Sequence, residues 1–227
     1  TGQVRWFKRP TPGHTYMVSL DPSMGTGGDF AAIQVFELPT FEQVGEWQHN
    51  MTPMNQQVRI LQGINKHIHD AILEKDSVAS PQIFYSMENN TIGEAALMRV
   101  MDIGEENIMG MFLSEPIRKG HRRKFRRGFN TTAKFKIDAC TKFKELVESG
   151  KMKINSNLLI SELKDFVATG LSYKAKPGQH DDLVSSCLLM TRMMKVLADF
   201  DPKIFEKWTD RSSELTAPMP IFGNFYG

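Results

Sequence analysis

The chain has almost no cysteine: its 227 residues include only Cys140 and Cys187. These make no CxxC pair and no Cys/His ligand pattern. That excludes a disulfide framework and a structural zinc site, and it leaves two reduced thiols in the core. His67 and His69 stand two apart on a helical stretch, so they do not share a face for chelation. No apolar run approaches the roughly 18 residues that a membrane span needs. The start, Thr1 to Pro10, is basic and aromatic and lacks the apolar core of a secretion signal. No GxxxxGKS or GxxxxGKT sequence occurs, and the glycine cluster Gly25–Gly28 lacks that spacing, so no ATP hydrolysis is expected. Internal repeats are absent.

What is present reads as one sizeable globular domain, with 41% hydrophobic and 24% charged residues. The net charge of +2 is unevenly spread. Between Arg118 and Lys136 lie nine Lys or Arg and no acid. A single-sign field of that kind suits a phosphate backbone.

Residues 14–20, 30–38 and 41–49 have strand character, and the links between them are too short for crossovers. They are expected to form an antiparallel meander, with a glycine-rich turn at 21–29. The period then changes. Val58, Leu61, Ile64, Ile68, Ile72 and Leu73 recur at helical spacing across 54–74. A strand at 82–87, a helix from Ile92 to Met101 and a strand at 108–113 imply parallel pairing with right-handed crossovers. Helices follow from Thr131 or Thr132 to Ser149, at 158–168, and from Asp181 to Leu197, with a hairpin or turn at 170–180. The fold class is therefore α/β, with a mixed five-stranded sheet flanked by helices. Met98, Met101, Met109, Met111, Met190, Met193 and Met194 read as core filler.

Three acidic positions end predicted core elements: Asp21 the first strand, Glu88 the fourth, and Asp181-Asp182 at the start of the last helix. Singly, each has an ordinary explanation as an Asx-turn, a solvated acid or a helix cap. Together they carry more weight. The first and fourth strands would be central parallel neighbours, which brings Asp21 and Glu88 together. Alternation puts Ser19 and Ser86 on the same face, leaving room above the sheet for the last helix to deliver Asp182. Three carboxylates need a counter-charge. An all-oxygen set favours Mg²⁺ or Mn²⁺ over zinc, and two such ions promote phosphodiester hydrolysis.

The segments LDPSMGTGGDFAAIQV, IFYSMENNTIGEA and GLSYKAKPGQHDDLVSSCLL, within residues 14–197, resemble the acidic motifs of the nuclease domain of large terminase subunits from T4-like tailed phages. GQHDDLV, Gly178 to Val184, is the most specific part. The resemblance implies a ribonuclease H-like fold and a metal-dependent endonuclease, which cuts double-stranded DNA at the start and end of genome packaging. It assigns metal-binding catalytic roles to Asp21, Glu88 and Asp182. It gives Asp29 a supporting role and leaves Asp181 as a second candidate ligand or the cap of the last helix. Two ions with DNA bound and 5′-phosphate products are implied as well. His180 reads as a loop residue.

The DNA-contact candidates are Arg122, Arg123, Lys124, Arg126, Arg127 and Lys134, with Phe125 and Phe129 interleaved, and Lys174 and Lys176 beside Tyr173. Contacts to the backbone should give weak sequence preference. The resemblance further implies an ATPase domain before this one. The non-Met start then marks a fragment, and residues 1–13 a linker whose Trp6 and Phe7 packed on that domain. The implied partners are the portal and procapsid, the small terminase subunit and DNA, in the host cytoplasm, with no membrane. The aromatic tail, 199–227, is expected to dock on the core or on the portal. A junction resolvase of the same fold and a non-cleaving DNA-gripping module are the competing readings.

Overall fold

In a computed structural model of the protein, residues 2–116, 127–169 and 172–200 are described. The expected tail from residue 201 lies outside them. A six-stranded mixed sheet forms the centre. Its strands are β1 (Arg5–Trp6), β2 (Thr15–Asp21), β3 (Ala31–Leu38), β4 (Glu42–His49), β5 (Gln82–Met87) and β6 (Met111–Phe112), in the order β1-β4-β3-β2-β5-β6. The expected meander is β2-β3-β4, antiparallel throughout. β5 runs parallel to β2, with Thr15 opposite Gln82 and Leu20 opposite Met87, and β6 runs parallel to β5.

The helices are α1 (Met54–Lys75), α2 (Thr91–Ile103), α3 (Ala133–Glu148), α4 (Asn157–Asp165) and α5 (Asp182–Phe200). Alternation along β2 divides the core in two. Tyr16, Val18 and Leu20 pack with Ile33 and Val35 beneath α1 and α2, which contribute Val58, Leu61, Ile64, Ile68 and Val100. Met17, Ala32 and Phe36 face the other way. They meet Phe143 and Leu146 of α3, Leu159 of α4, and Leu183, Cys187 and Met190 of α5. The central strands β2 and β3 are thus covered on both faces, as their dense apolar runs require.

The sheet has one strand beyond the five expected. Arg5 and Trp6 pair with Glu46 and Gly45 of β4. The Arg5 guanidinium reaches the fully buried Glu46, and Lys8 reaches the fully buried Glu37. Trp6 packs on His67 of α1. The helix expected at 158–168 stops earlier. Residues Phe166–Thr169 (β7) pair antiparallel with Ser172–Ala175 (β8), and Phe166 stacks on Tyr173.

The methionines divide. Met190, Met193 and Met194 are core, but Met98 and Met101 are each 65% exposed, and Met109 and Met111 are exposed too. The reason is phase: the buried stripe of α2 is Gly93, Ala96, Leu97 and Val100, which Met98 and Met101 miss. Both cysteines are buried and free, as expected.

Candidate active site

Asp21 is the last residue of β2, and Glu88 directly follows β5. The two strands are parallel neighbours, and the Glu88 N–H donates to the Leu20 carbonyl at 3.1 Å. Both carboxyls therefore leave the same end of the sheet, close enough for their charges to act on each other. Burial, and then the Glu88 charge, push the Asp21 carboxyl well above the usual range, with smaller contributions from Asp182 and Asp181.

α5 brings the third acid. Its approach depends on two small residues: Ser19 Oγ donates to the Ser186 carbonyl at 2.9 Å, and Ser186 Oγ donates to the Ser19 carbonyl at 3.1 Å. The space expected above Ser19 is thus taken by α5 itself. Ser86, in register with Ser19, is used differently: its hydroxyl donates to the Leu113 carbonyl at 2.7 Å. Asp182 opens α5 and accepts the Phe30 N–H. Burial raises it to about 6, and Asp181 and Asp29 add to the rise. The Phe30 hydrogen bond and His180 oppose it.

The glycine turn holds Phe30 and Asp29 at this end. Gly25 has φ +68°, and a Cβ there would lie 2.2 Å from the Thr52 carbonyl oxygen. The buried Gln57 of α1 stitches the turn down, donating to the carbonyls of Ser23 (2.8 Å) and Thr52 (2.7 Å) and accepting from the Ser23 N–H. Asp29 stays exposed at the rim. His180 is also at the rim, 3.6 Å from Asp182 and edge-on to the Phe30 ring.

Asp181 does not cap α5. Its carboxylate accepts from the Ala175 N–H of β8 at 3.2 Å and lies 3.9 Å from Lys136 Nζ. The N–H groups of Leu183 and Val184 go instead to Glu162 of α4, at 2.9 and 3.2 Å. Burial raises the Glu162 carboxyl to about 7, against these hydrogen bonds and one from Gln48. Glu162 had no local sequence signal. It reads as one polar position of an amphipathic helix, and only packing places it under another helix.

Around Glu88, Asn90 caps α2 by accepting the Gly93 N–H at 2.8 Å, and its amide approaches Glu88 at 3.4 Å. A Cβ on Gly93 would lie 1.8 Å from the Glu88 carbonyl oxygen, which explains the glycine. The buried Asn89 donates through its backbone to the Phe129 carbonyl and through its side chain to the Arg127 carbonyl, each at 2.7 Å. The chain that leaves the basic stretch is thereby fastened beside Glu88.

Of the expected DNA contacts, Arg122, Arg123, Lys124 and Arg126 (and Phe125 with them) lie outside the described residues. Arg127 pairs with Glu105 and lies over Phe112, and Lys176 pairs with Asp165 at 3.0 Å. Lys134 and Lys174 are exposed and form no ion pair among the described residues. Arg192 of α5 was not anticipated. It binds Glu115, Thr131 Oγ1 and the Asn130 carbonyl, and its guanidinium lies over Phe129 and Phe135.

The terminase RNaseH-like domain family matches residues 18–193, a span that includes Asp21, Glu88 and Asp182. The chain belongs to that family. This terminase nuclease domain is similar in fold to the large terminase nuclease of thermophilic phage G20c, at 17% identity and TM-score 0.60 over 83% of this chain and 87% of that one. The nuclease domain of Thermus phage P74-26 matches at 17% identity and TM-score 0.58, over 83% and 84%. The human cytomegalovirus terminase nuclease domain matches at 14% identity and TM-score 0.52, over 85% and 86%. The G20c nuclease has been solved with bound magnesium, cobalt and zinc. Family membership gives this terminase domain a nuclease role in DNA packaging.

Among the described residues, no three His, Cys, Asp or Glu side chains already surround a point where a metal ion would sit. Asp21 and Glu88 are turned on each other, and Asp182 is turned on the Phe30 N–H. The donor chemistry nevertheless fits a hard divalent cation. It is all carboxylate oxygen, and the like charges of Asp21, Glu88 and Asp182 adjoin one another.

Proposed function

We propose that this terminase domain is a metal-dependent endonuclease that cuts double-stranded phage DNA when packaging begins and when it ends. Asp21, Glu88 and Asp182 would hold the divalent cations, Mg²⁺ or Mn²⁺, with Asp29 and Asp181 in support. The observation that carries this reading is that Asp21 and Glu88 leave the same end of two adjacent parallel strands, tied by the Glu88 N–H on the Leu20 carbonyl, with Asp182 brought alongside at the start of α5.

Bound divalent cations supply the charge that activates an attacking water and stabilises the leaving 3′ oxygen. The chain's own residues do the rest. Asp21 and Glu88 present their oxygens from rigid adjacent strands, and Asp182 adds a third from the helix end. Asn90 orients Glu88, and Phe30 orients Asp182. Lys134 and Lys174, with Arg122, Arg123, Lys124 and Arg126, serve the phosphate backbone. The products carry 5′ phosphates. An ATPase domain of the same protein, the portal and procapsid and the small terminase subunit are the partners, in the host cytoplasm.

The test is incubation of the domain with supercoiled plasmid in Mg²⁺, Mn²⁺ or chelator. Cation-dependent nicking and linearisation are expected. Intact plasmid in both cations sinks the endonuclease reading for this domain alone.

A further inference from the structure

We infer that Glu162 is the positioning residue for Asp182, holding the start of α5 to the same row of the sheet that ends in Asp21. This rests on the reading of Asp21, Glu88 and Asp182 as a cation-binding set.

Helices usually satisfy their first N–H groups with a side chain from the residue just before them. Here that residue is Asp181, and its carboxylate is directed to the Ala175 N–H and Lys136. The Asp182 side chain is also taken, by the Phe30 N–H. The cap therefore comes from another helix. One Glu162 oxygen accepts both the Leu183 and the Val184 N–H, the two that directly follow Asp182. The other accepts from Gln48 Nε2 at 2.9 Å.

Gln48 makes this more than a cap. It lies opposite Ala32, and Ala32 lies opposite Asp21. Directly opposed residues share a face, so Asp21, Ala32 and Gln48 form one row across three strands. Glu162 joins that row, through Gln48, to the backbone immediately after Asp182. The Ser19–Ser186 contact fixes α5 one turn further along. With the Glu162 link, the helix is held at two points, and its end cannot swing without breaking one of them.

A carboxylate in this place also has a cost. It adds negative charge where Asp181 and Asp182 already stand, and burial raises its own affinity for a proton. A neutral side chain would cap α5 with less repulsion. The geometry favours Glu because its length spans from α4 to α5 and its two oxygens serve both the helix and the sheet.

The experiment measures Mn²⁺ binding by electron paramagnetic resonance for the wild type, Glu162→Ala and Glu162→Gln. Amide hydrogen exchange at Leu183 and Val184 is followed in parallel. Losing an outer partner of this kind costs about 10- to 100-fold in metal affinity. Glu162→Ala is expected to weaken Mn²⁺ binding by at least about tenfold and to speed exchange at Leu183 and Val184. Glu162→Gln keeps an acceptor oxygen and is expected to restore most of both. A Glu162→Ala protein that melts earlier, yet when folded binds Mn²⁺ as the wild type does, overturns the inference and leaves a plain helix cap. Wild-type protein that binds no Mn²⁺ overturns the cation-binding reading, and this inference with it.

Discussion

Ser19 of β2 and Ser186 of α5 each donate a hydroxyl to the other's carbonyl, at 2.9 and 3.1 Å. Ser19 lies two residues before Asp21, and Ser186 four residues after Asp182, so this exchange sets the distance between strand end and helix end. Ser186→Ala keeps the close approach and is expected to cost about 1 kcal/mol, the ordinary worth of a hydrogen bond. Ser186→Leu forces the helix off the sheet. It is expected to cost about 1–3 kcal/mol in urea denaturation, with a far larger fall in plasmid cleavage. Equal cleavage by the two variants would show that helix spacing does not matter.

Asp21→Asn and Asp182→Asn are expected to abolish cleavage while leaving DNA retention in a gel-shift assay nearly unchanged. Loss of binding in step with cleavage would point to a DNA-gripping role for the same acids.

Metal-free stability should fall as pH rises, the reverse of an ordinary salt-bridged acid. Asp182 has a folded pKa of about 6 against an ordinary value of 3.8. The folded state therefore holds the proton more tightly. The stability this confers is fully present below the ordinary value and is lost as pH climbs through about 6, amounting to about 2–3 kcal/mol. Asp21, shifted in the same direction, adds to the trend. Melting curves in chelator should drop between about pH 4 and pH 7. Mn²⁺ should raise the melting temperature much more at pH 8 than at pH 5, since protons and cation compete. A Mn²⁺ effect independent of pH would contradict this competition.

Arg192 gathers Glu115, Asn130 and Thr131 at the two flanks of the basic stretch. Arg192→Met leaves the Glu115 carboxylate without its cation and is expected to destabilise the domain by about 2–3 kcal/mol. The double variant with Glu115→Gln should recover part of that loss in a double-mutant cycle. Strict additivity would mean that the pair does not interact.

Lys134 and Lys174 are exposed without ion pairs among the described residues, whereas Lys176 is engaged by Asp165. Lys134→Ala and Lys174→Ala should each weaken DNA binding and flatten its salt dependence by roughly one unit of slope, and Lys176→Ala should do so less. Equal effects at all three positions would mean that the Asp165 pair does not compete with phosphate.

Much of the architecture was legible in the order of residues. Short turns between β2, β3 and β4 forced antiparallel pairing, and helices between later strands favoured parallel pairing, which points to Asp21 and Glu88 as neighbours; that β5 seats beside β2 rather than beside β4 is decided by the packed sheet. Periodicity gave α1 because burial repeats along a helix. It failed for Met98 and Met101, because apolar residues off the buried stripe look the same in sequence as those on it. The strand at Phe166–Thr169 overlaps the helix that the sequence predicts at 158–168, because the pairing partner is what decides a short apolar run.

The sequence by itself determined which strand ends and which helix start carry acids, since chain order and connection length constrain those. Only the tertiary structure decided that Asp181 turns to Ala175, that Glu162 takes over the helix cap, and that Arg192 clamps Glu115. Those partners lie up to 77 residues apart. Nothing in local spacing encodes a hydrogen bond between side chains that meet only when separate helices pack on one sheet.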